Sequence, residues 1–356
     1  STIEGVAQVS VFGSARFAVR IQADPAALAT RQIGIDKLVS AVAQANVNLA
    51  TGALNGPTRS TVIHTGGPFQ GQDYRVAEAC IQAGAHYIDL ADARAFVAGI
   101  GVLDARARAA DVSVICGASS VPALSCAVAD ALARDLASVE CIDIGISPGN
   151  RTERGVATVR AILGYCGKRF AVHRGGRASP TIGWLRPRRV RYPGPVGTRW
   201  LSDCEVPDLD LLPARFPGIT EVTFGAGLEL RVLHFGMAIL AAMRRAGLAS
   251  DWSPHAAWLK RASDAFKRWG SDAGGMHVTL RGRSAHGEHV QRRWTLVAAH
   301  GDGPYVPTLA CAALLRKLAS GHALPSGAMP CVGLLTLHDF DAEMDGLAIT
   351  TEWHAC

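Results

Sequence analysis

Residues 62–90 read VIHTGGPFQGQDYRVAEACIQAGAHYIDL and contain a complete strand–helix–strand pattern. The β-rich run VIHT leads into the tripeptide GGP, and the segment YRVAEACIQAG then repeats apolar residues with a helical period. Its terminal glycine is typical of a helix C-terminus, and HYIDL forms the next β-rich run. The stretch therefore predicts a β-α-β unit whose first strand-to-helix loop is rich in glycine and proline.

The same alternation continues along the chain. RAFVAGIGVLDARARAA predicts the next helix, VSVICGA the next strand, and PALSCAVADALARDLA a helix opened by Pro122. Strands separated by single helices imply a parallel sheet with right-handed crossovers. We therefore predict the α/β class, with a doubly wound, Rossmann-like domain over residues 1–128 and about 304–356.

The alternation weakens beyond this region, and residues 129–303 predict a second, α+β domain for substrate binding and dimerisation. MHVTLRGR and QRRWTLVAAH alternate polar with apolar residues and are joined through SAHGEH, which indicates an antiparallel hairpin. PYVPTLACAALLRKLASG predicts a helix that returns to the first domain, which makes that domain discontinuous. LHFGMAILAAMRRAGL predicts a buried helix that is too short to span a bilayer.

Composition excludes several classes of protein. The chain has 356 residues, 49% of them hydrophobic, a net charge of +6, and nine cysteines without a CxxC pair. These values indicate a soluble cytoplasmic protein with reduced thiols, and no signal peptide or membrane segment is expected. The GxSxG, HExxH and GxxxxGK[ST] motifs are missing, which argues against hydrolase, zincin and P-loop chemistry.

The positive charge is concentrated in one passage, from His173 to Trp200. Such arginines most often form a solvated face, although one or two could clamp a substrate carboxylate, and the modest net charge argues against nucleic acid. The arginine cluster of this passage consists of Arg174, Arg177, Arg186, Arg188, Arg189 and Arg191. His286, Glu288 and His289 resemble metal ligands by type, but they fall on the predicted hairpin turn, where they are hard to converge, so no metal site is expected.

The glycines of the GGP loop have a chemical use at this place in the fold. Ligands of doubly wound sheets bind beyond the carboxyl ends of the strands, where Gly66 and Gly67 allow the backbone to approach a flat ring or a pyrophosphate. Pro68 stiffens the loop and Phe69 can pack against such a ring. The alternative interpretation is an ordinary tight turn.

A family resemblance supports the cofactor interpretation. GPFQGQDYRVAEACIQAGAHYIDLADARAF and VICGASSVPALSCAVAD resemble the saccharopine dehydrogenase-like family of NAD(P)-binding proteins, and RRVRYPGPVGTRWLSDCEVPDLDLLPARFPG resembles its uncharacterised bacterial branch. The resemblance implies an oxidoreductase that uses NADP or NAD, with hydride transfer to or from a C=N or C=O carbon of a small, carboxylate-bearing substrate. It also implies a homodimer.

The resemblance also assigns residues. Gly67, Pro68 and Phe69 would line the nicotinamide–ribose and pyrophosphate region, and Asp89 would lie near the active cleft. Ser119, Ser120 and Pro122 would border the nicotinamide ring. Helix capping is the alternative role for the two serines, and a cap or a surface carboxylate is the alternative for Asp89.

The dinucleotide fingerprint itself is degenerate. Such domains open with G-x-G-x-x-G, and when AQVSVFGSARF is aligned on Gly13 as the third glycine, Gln8 and Ser10 occupy the first two positions. We predict cofactor contacts from Ser10, Phe12 and Gly13. Arg31 would suit a 2′-phosphate, or is an ordinary loop residue. A modified binding mode, lost binding and an unnatural chain start remain open.

Three residues are candidates for acid–base catalysis. Asp89 follows the second strand, and the loop-forming pieces GGMH and GDGPY place His277 and Tyr305 near the domain junction. Packing roles are common for His and Tyr. The competing hypothesis is a catalytically inactive scaffold, or a metabolite-binding protein, that kept the fold with a degraded fingerprint.

Overall fold

The computed structural model describes residues 51–55 and 59–355. The strands are β1 (Thr51–Asn55), β2 (Ser60–His64), β3 (His86–Asp89), β4 (Ser113–Cys116), β5 (Leu136–Ser147), β6 (Arg169–Arg174), β7 (Arg177–Ile182), β8 (Arg188–Arg191), β9 (Thr198–Asp203), β10 (Glu221–Ala226), β11 (Gly274–Ser284), β12 (His289–Ala298), β13 (Gly327–Pro330) and β14 (Ile349–Ala355).

The helices connect these strands. The α-helices are α1 (Arg75–Gln82), α2 (Arg94–Gly99), α3 (Asp104–Ala109), α4 (Ser125–Ala133), α5 (Val156–Gly164), α6 (Asp208–Arg215), α7 (Arg231–Arg245), α8 (Ala256–Asp264), α9 (Leu309–Ala319) and α10 (Leu337–Met344). Short 3₁₀ helices cover Ile100–Leu103, Ser253–His255 and Gly303–Thr308, and a π-helical turn covers Ser120–Leu124.

The first sheet has the order β1-β2-β3-β4-β13, and its last four strands are parallel. Helix α1 connects β2 to β3, so the predicted β-α-β unit and the α/β class are confirmed. The edge strand β1 is antiparallel to β2. The single helix predicted for RAFVAGIGVLDARARAA is wrong in detail, because the 3₁₀ helix separates α2 from α3 where two glycines weaken the α-helix.

The second sheet has nine strands, with β14-β12-β11-β5-β10-β6-β7 in line and with β9 pairing both β10 and β8. Only the pair β5–β10 is parallel among the described pairs of this sheet. The predicted hairpin is confirmed as β11–β12, with His286 and Glu288 in its turn. The predicted domain boundary near residue 304 stays a prediction; beyond it, β13 belongs to the first sheet and β14 to the second.

Helix α4 packs on the second sheet and shares one core with strands of both sheets. Its residues SCAVADALA are apolar on nearly every side, and Val128 and Leu132 are fully buried. The same core contains Ile115 of the first sheet and Ile144 of the second. A helix without a polar face is stable only where it is buried on nearly every side, so the sequence of α4 requires this buried position.

The prediction of a buried helix is wrong for α7. Only His234 and Ala241 are buried there, while Val232 and Ile239 are 58% and 61% exposed. Apolar content predicted burial, but the second sheet contacts a narrow stripe of the helix. None of the helices in the described ranges is long and apolar enough to cross a membrane.

The buried imidazole of His234 makes stability depend on pH. Its ring lies 3.1 Å from the Ser202 hydroxyl, and burial lowers its pKa to about 4. Because the folded-state pKa lies below the unfolded value, its stabilising contribution is complete above pH ~6.5 and is lost as the pH falls toward the folded pKa. We expect acidification from pH 7 to pH 5 to lower the free energy of unfolding by about 2 kcal/mol through this group.

Urea unfolding of His234→Gln at both pH values measures this term, because the variant lacks the titrating group. His322→Gln is the matched control, since His322 is exposed. An unchanged pH dependence in His234→Gln would contradict the assignment.

Candidate functional site

The carboxyl ends of β2, β3 and β4 meet at one edge of the first sheet, because the three strands are adjacent and parallel. The loops 65–69, 90–92 and 117–122 follow these ends. The structure thus brings together the predicted loop glycines, Asp89 and the segment with Ser119 and Ser120. This edge is the position where doubly wound sheets bind ligands.

The loop after β2 is fixed by hydrogen bonds from Gln72 and has room for a small group beside Gly67. Gln72 Nε2 donates to the carbonyl oxygens of Gly66 and Pro68, at 2.7 and 2.8 Å, and the Gly67–Pro68 peptide is cis. A methyl group built on Gly67 would meet nothing closer than the Phe69 ring, 3.8 Å away. The glycine therefore leaves free space beside the backbone of the loop.

The ring of Phe69 packs inward. It is 5% exposed, and its centroid lies 5.1 Å from that of His64 and 5.3 Å from that of Phe96. Its contribution is therefore to anchor the loop in the core beneath it. A role for this ring against a nicotinamide stays a prediction.

His64 places an unsatisfied nitrogen under the same loop. Its Nδ1 lies 2.9 Å from the Tyr87 hydroxyl, while Nε2 has no hydrogen-bond partner within the described part of the chain. The side chain is 1% exposed, and burial lowers the pKa of the imidazole. A buried polar atom without a hydrogen-bond partner lowers the stability of the fold. Such atoms occur at the edges of ligand-binding sites as well as in strained cores.

The carboxylate of Asp89 is hydrogen-bonded to the backbone at this edge. It is fully buried, and its Oδ1 accepts hydrogen bonds from the amides of Gly117, at 2.7 Å, and Ala91, at 3.0 Å. Burial raises the pKa of this carboxyl, and the two amide donors act in the opposite direction. The geometry gives Asp89 a structural role in holding two loops together, and a catalytic role stays a prediction.

The segment after β4 is compact and closed. Ser119 and Ser120 are each 7% exposed, and neither side chain makes a capping hydrogen bond to the following helix. Gly117 has a φ of +81°, and a Cβ on it would lie 2.8 Å from Pro122 Cδ. The turn therefore requires glycine at 117 and presents its backbone at the edge of the sheet.

The two remaining catalytic candidates lie in different surroundings. Tyr305 is 53% exposed and belongs to the 3₁₀ helix that packs on the Ser120–Leu124 turn. His277 lies on β11 in the second sheet, with Nδ1 2.9 Å from the Tyr192 hydroxyl and Nε2 3.1 Å from Asp143 Oδ2. The 3₁₀ helix that contains Tyr305 therefore borders the Ser120–Leu124 turn, whereas His277 belongs to a separate polar network.

Asp143 of that network lines a cavity of about 510 Å³ on the polar face of the second sheet. Asp143 Oδ1 accepts hydrogen bonds from Arg188 Nη2 at 2.7 Å and from Thr223 Oγ1 at 2.6 Å. Arg188 Nη1 also contacts Asp203, at 3.3 Å. These partners, together with His277, lower the pKa of Asp143 to about 2 against the effect of burial.

Sequence reasoning did not find this cavity, although a pattern pointed to it. The neighbouring strands β5 and β10 contain CIDIG and EVTFG, which place two polar residues and a glycine on one face at the same spacing. The intervening residues, Ile142, Ile144, Val222 and Phe224, face the core.

The implied nicotinamide dinucleotide fits only in part. Gly67, the Gly117 turn and the unpartnered nitrogen of His64 suit the nicotinamide end. The pyrophosphate end needs a glycine-rich loop after a further parallel strand, whereas the described neighbour of β2 is the antiparallel β1. Ser10, Phe12, Gly13 and Arg31 lie outside the described residues.

The structural role of Asp89 can be tested directly. Asp89→Ala leaves two buried amides without an acceptor, so we expect the free energy of unfolding to fall by about 2–6 kcal/mol, about 1–3 per donor. Urea denaturation measures it. Asp341→Ala, at an exposed carboxylate on α10, is the control. Wild-type stability of Asp89→Ala would show that these hydrogen bonds do not hold the edge together.

Comparisons with known proteins find different similarities for different parts of the chain. Residues 1–92 match the AcrB/AcrD/AcrF family. An uncharacterized transporter of Haemophilus influenzae is 46% identical over 55 residues, which are 15% of this chain and only 5% of the transporter. The structure superposes on apo saccharopine dehydrogenase (L-Glu forming) of Saccharomyces cerevisiae with a TM-score of 0.54 and 12% identity, covering 80% of this chain and 84% of that one. The protein is therefore similar in fold to a saccharopine dehydrogenase.

Proposed function

We propose that the protein is an NAD(P)-dependent oxidoreductase that resembles saccharopine reductases. It would move a hydride to or from a C=N or C=O carbon of a small, carboxylate-bearing substrate. The observation that carries the proposal is the edge of the first sheet, where the loop with Gly67 and the tight Gly117 turn follow β2 and β4, the two neighbours of β3. The likeness in fold to a saccharopine dehydrogenase supports it.

The chain's own residues would position and shield the reacting groups. A bound nicotinamide supplies hydride chemistry at its C4, and the protein orients it and excludes water. Gly66, Gly67, Ser119 and Ser120 would contribute the surface on which it rests. Among the three catalytic candidates, Tyr305 suits proton transfer best, because its side chain is exposed and its 3₁₀ helix packs on the Ser120–Leu124 turn.

A second candidate function is a catalytically inactive scaffold or metabolite-binding protein. It is favoured by β1, which lies antiparallel where a dinucleotide-binding sheet continues with parallel strands. The transporter match over residues 1–92 also gives Gln8 and Ser10 an explanation other than a decayed fingerprint.

Three finer expectations belong to the same proposal. The cofactor is NADP or NAD, and the protein acts as a homodimer, as the resemblance implies. We place it in the cytoplasm because the eight cysteines within the described residues are free, as expected in a reducing compartment.

Nucleotide binding at Gly67 can be measured by calorimetry with NADPH and NADH. Because the added side chain would fill the space beside the loop, we expect Gly67→Val to weaken binding tenfold or more, about 1.4 kcal/mol. Gly101→Val is the control, since Gly101 is exposed and a Cβ there would meet nothing within 4 Å, whereas a Cβ on Gly67 would contact the Phe69 ring. Absence of heat with both nucleotides, on folded wild-type protein, would refute the oxidoreductase proposal.

The fingerprint interpretation is tested by the double variant Gln8→Gly, Ser10→Gly. We expect unchanged nucleotide affinity, because the transporter match indicates that residues 8–13 were not built around a pyrophosphate. A gain of tenfold or more would instead support contacts from Ser10, Phe12 and Gly13. The same titration measures either result, with the wild-type chain as reference.

A further inference from the structure

We propose that the polar face of the second sheet carries a binding site for a small anion, a dicarboxylate or a phosphate, held by Arg174, Arg186 and Arg281. The site is the cavity of about 510 Å³ described above. It does not depend on nicotinamide binding at the first sheet.

The floor of the cavity is formed by three adjacent strands in register. Asp143 of β5 lies between Thr223 of β10 and Thr279 of β11, and the next row along the face holds Glu221 and Arg281 on either side of β5. Side chains of i and i+2 in a strand share a face, so the two rows form one polar surface.

Two glycines allow polar groups of the chain to lie flat on this floor. A Cβ on Gly145 would lie 2.3 Å from the His277 ring, and a Cβ on Gly225 would lie 2.8 Å from the Arg188 guanidinium. The close approach fixes both groups against the sheet. His277 and Arg188 are therefore part of the built wall, and the other arginines face the space above it.

The inner carboxylates already have hydrogen-bond partners within the protein, although Arg188 is the cationic side chain among them, since burial lowers the pKa of His277. Asp143 is bonded to Arg188, Thr223 and His277, and Asp203 receives Arg188 and the hydroxyl of Thr181, at 2.6 Å. A pKa of about 2 keeps Asp143 ionised and paired at neutral pH. An added anion consequently meets the outer groups of the cavity.

Those outer groups carry an excess of positive charge. Arg174 and Arg281 share Glu221, at 3.3 and 3.8 Å, and Arg186 makes no hydrogen bond or ion pair with the residues that the structure describes. Counted over the whole lining, four arginines stand against three carboxylates (Asp143, Asp203 and Glu221), which leaves a charge of +1. Guanidinium groups pair with carboxylate and phosphate oxygens through parallel hydrogen bonds, so this excess favours a small anion that presents such oxygens.

The backbone of Arg186 supports a ligand-directed role. Its φ of +59° is in the left-handed region, which a residue with a side chain adopts at a cost of about 1–3 kcal/mol. Such outliers concentrate at ligand clamps. With no partner in the described chain to reward this conformation, a bound anion is the ligand that would.

Calorimetric titration of the full chain with succinate and with inorganic phosphate, without nucleotide, tests the proposal. We expect one site for at least one of these anions and no binding of uncharged succinamide. Succinate binding alone identifies a dicarboxylate site, and phosphate binding alone identifies a phosphate site. We expect Arg186→Gln to weaken binding tenfold or more, and Arg281→Gln to weaken it as well, since each removes a guanidinium group that lines the cavity.

Arg189→Gln is the matched control. Arg189 is the neighbour of Arg188 on β8, and its guanidinium lies 5.9 Å from the Trp200 ring, outside the cavity lining. Its binding should equal the wild type, and thermal unfolding verifies that every variant is folded. Absence of binding to both anions would overturn the proposal. An equal loss in Arg189→Gln would also overturn it, because it would reveal general charge attraction in place of a site.

Discussion

The burial of α4 on nearly every side is the constraint on which the rest of the structure depends. The helix packs on β5, β11 and β12 of the second sheet, and its fully buried Val128 and Leu132 belong to the same core as Ile115 of the first sheet. Each such side chain stabilises the fold by about 1.5–3 kcal/mol. Because the Ser120–Leu124 turn continues directly into α4, the candidate nicotinamide edge is fixed by the same packing that joins the two sheets.

The parts of the fold that were predictable are those set by local periodicity. The β2-α1-β3 unit, β4 and the β11–β12 hairpin follow from spacing and turn residues, and the structure confirms them. The exposed face of α7 and the break at Ile100–Leu103 were not predictable in this way. Periodicity reports which residues are apolar, but what covers them depends on distant segments, and glycines at 99 and 101 tip a marginal helix toward 3₁₀ geometry.

The candidate sites show the same division. Gly66 and Gly67 could be recognised because their chemistry and their position both lie within a few residues of sequence. The cavity on the polar face of the second sheet is lined by residues from five or more strands. These residues come together only through the register of the sheet. The arginine-rich passage was recognised, but sequence could not separate Arg188, which is bonded inside, from Arg186, which has no partner among the described residues. The difference arises at Gly225, where the missing Cβ lets the guanidinium of Arg188 lie against the sheet.

Two acidic side chains near the candidate sites are held by the protein in different ways. Asp89 is fully buried; its Oδ1 accepts hydrogen bonds from two backbone amides, while its Oδ2 has no hydrogen-bond partner among the described residues. The side chain of Asp143 is 37% exposed, and Arg188 and His277 stabilise its anionic form, so with a pKa of about 2 it is a poor proton donor at neutral pH. Under the proposed function, the proton donor at the first sheet has to be a group that solvent or substrate can reach, and among our three candidates the side chain of Tyr305 is the most exposed.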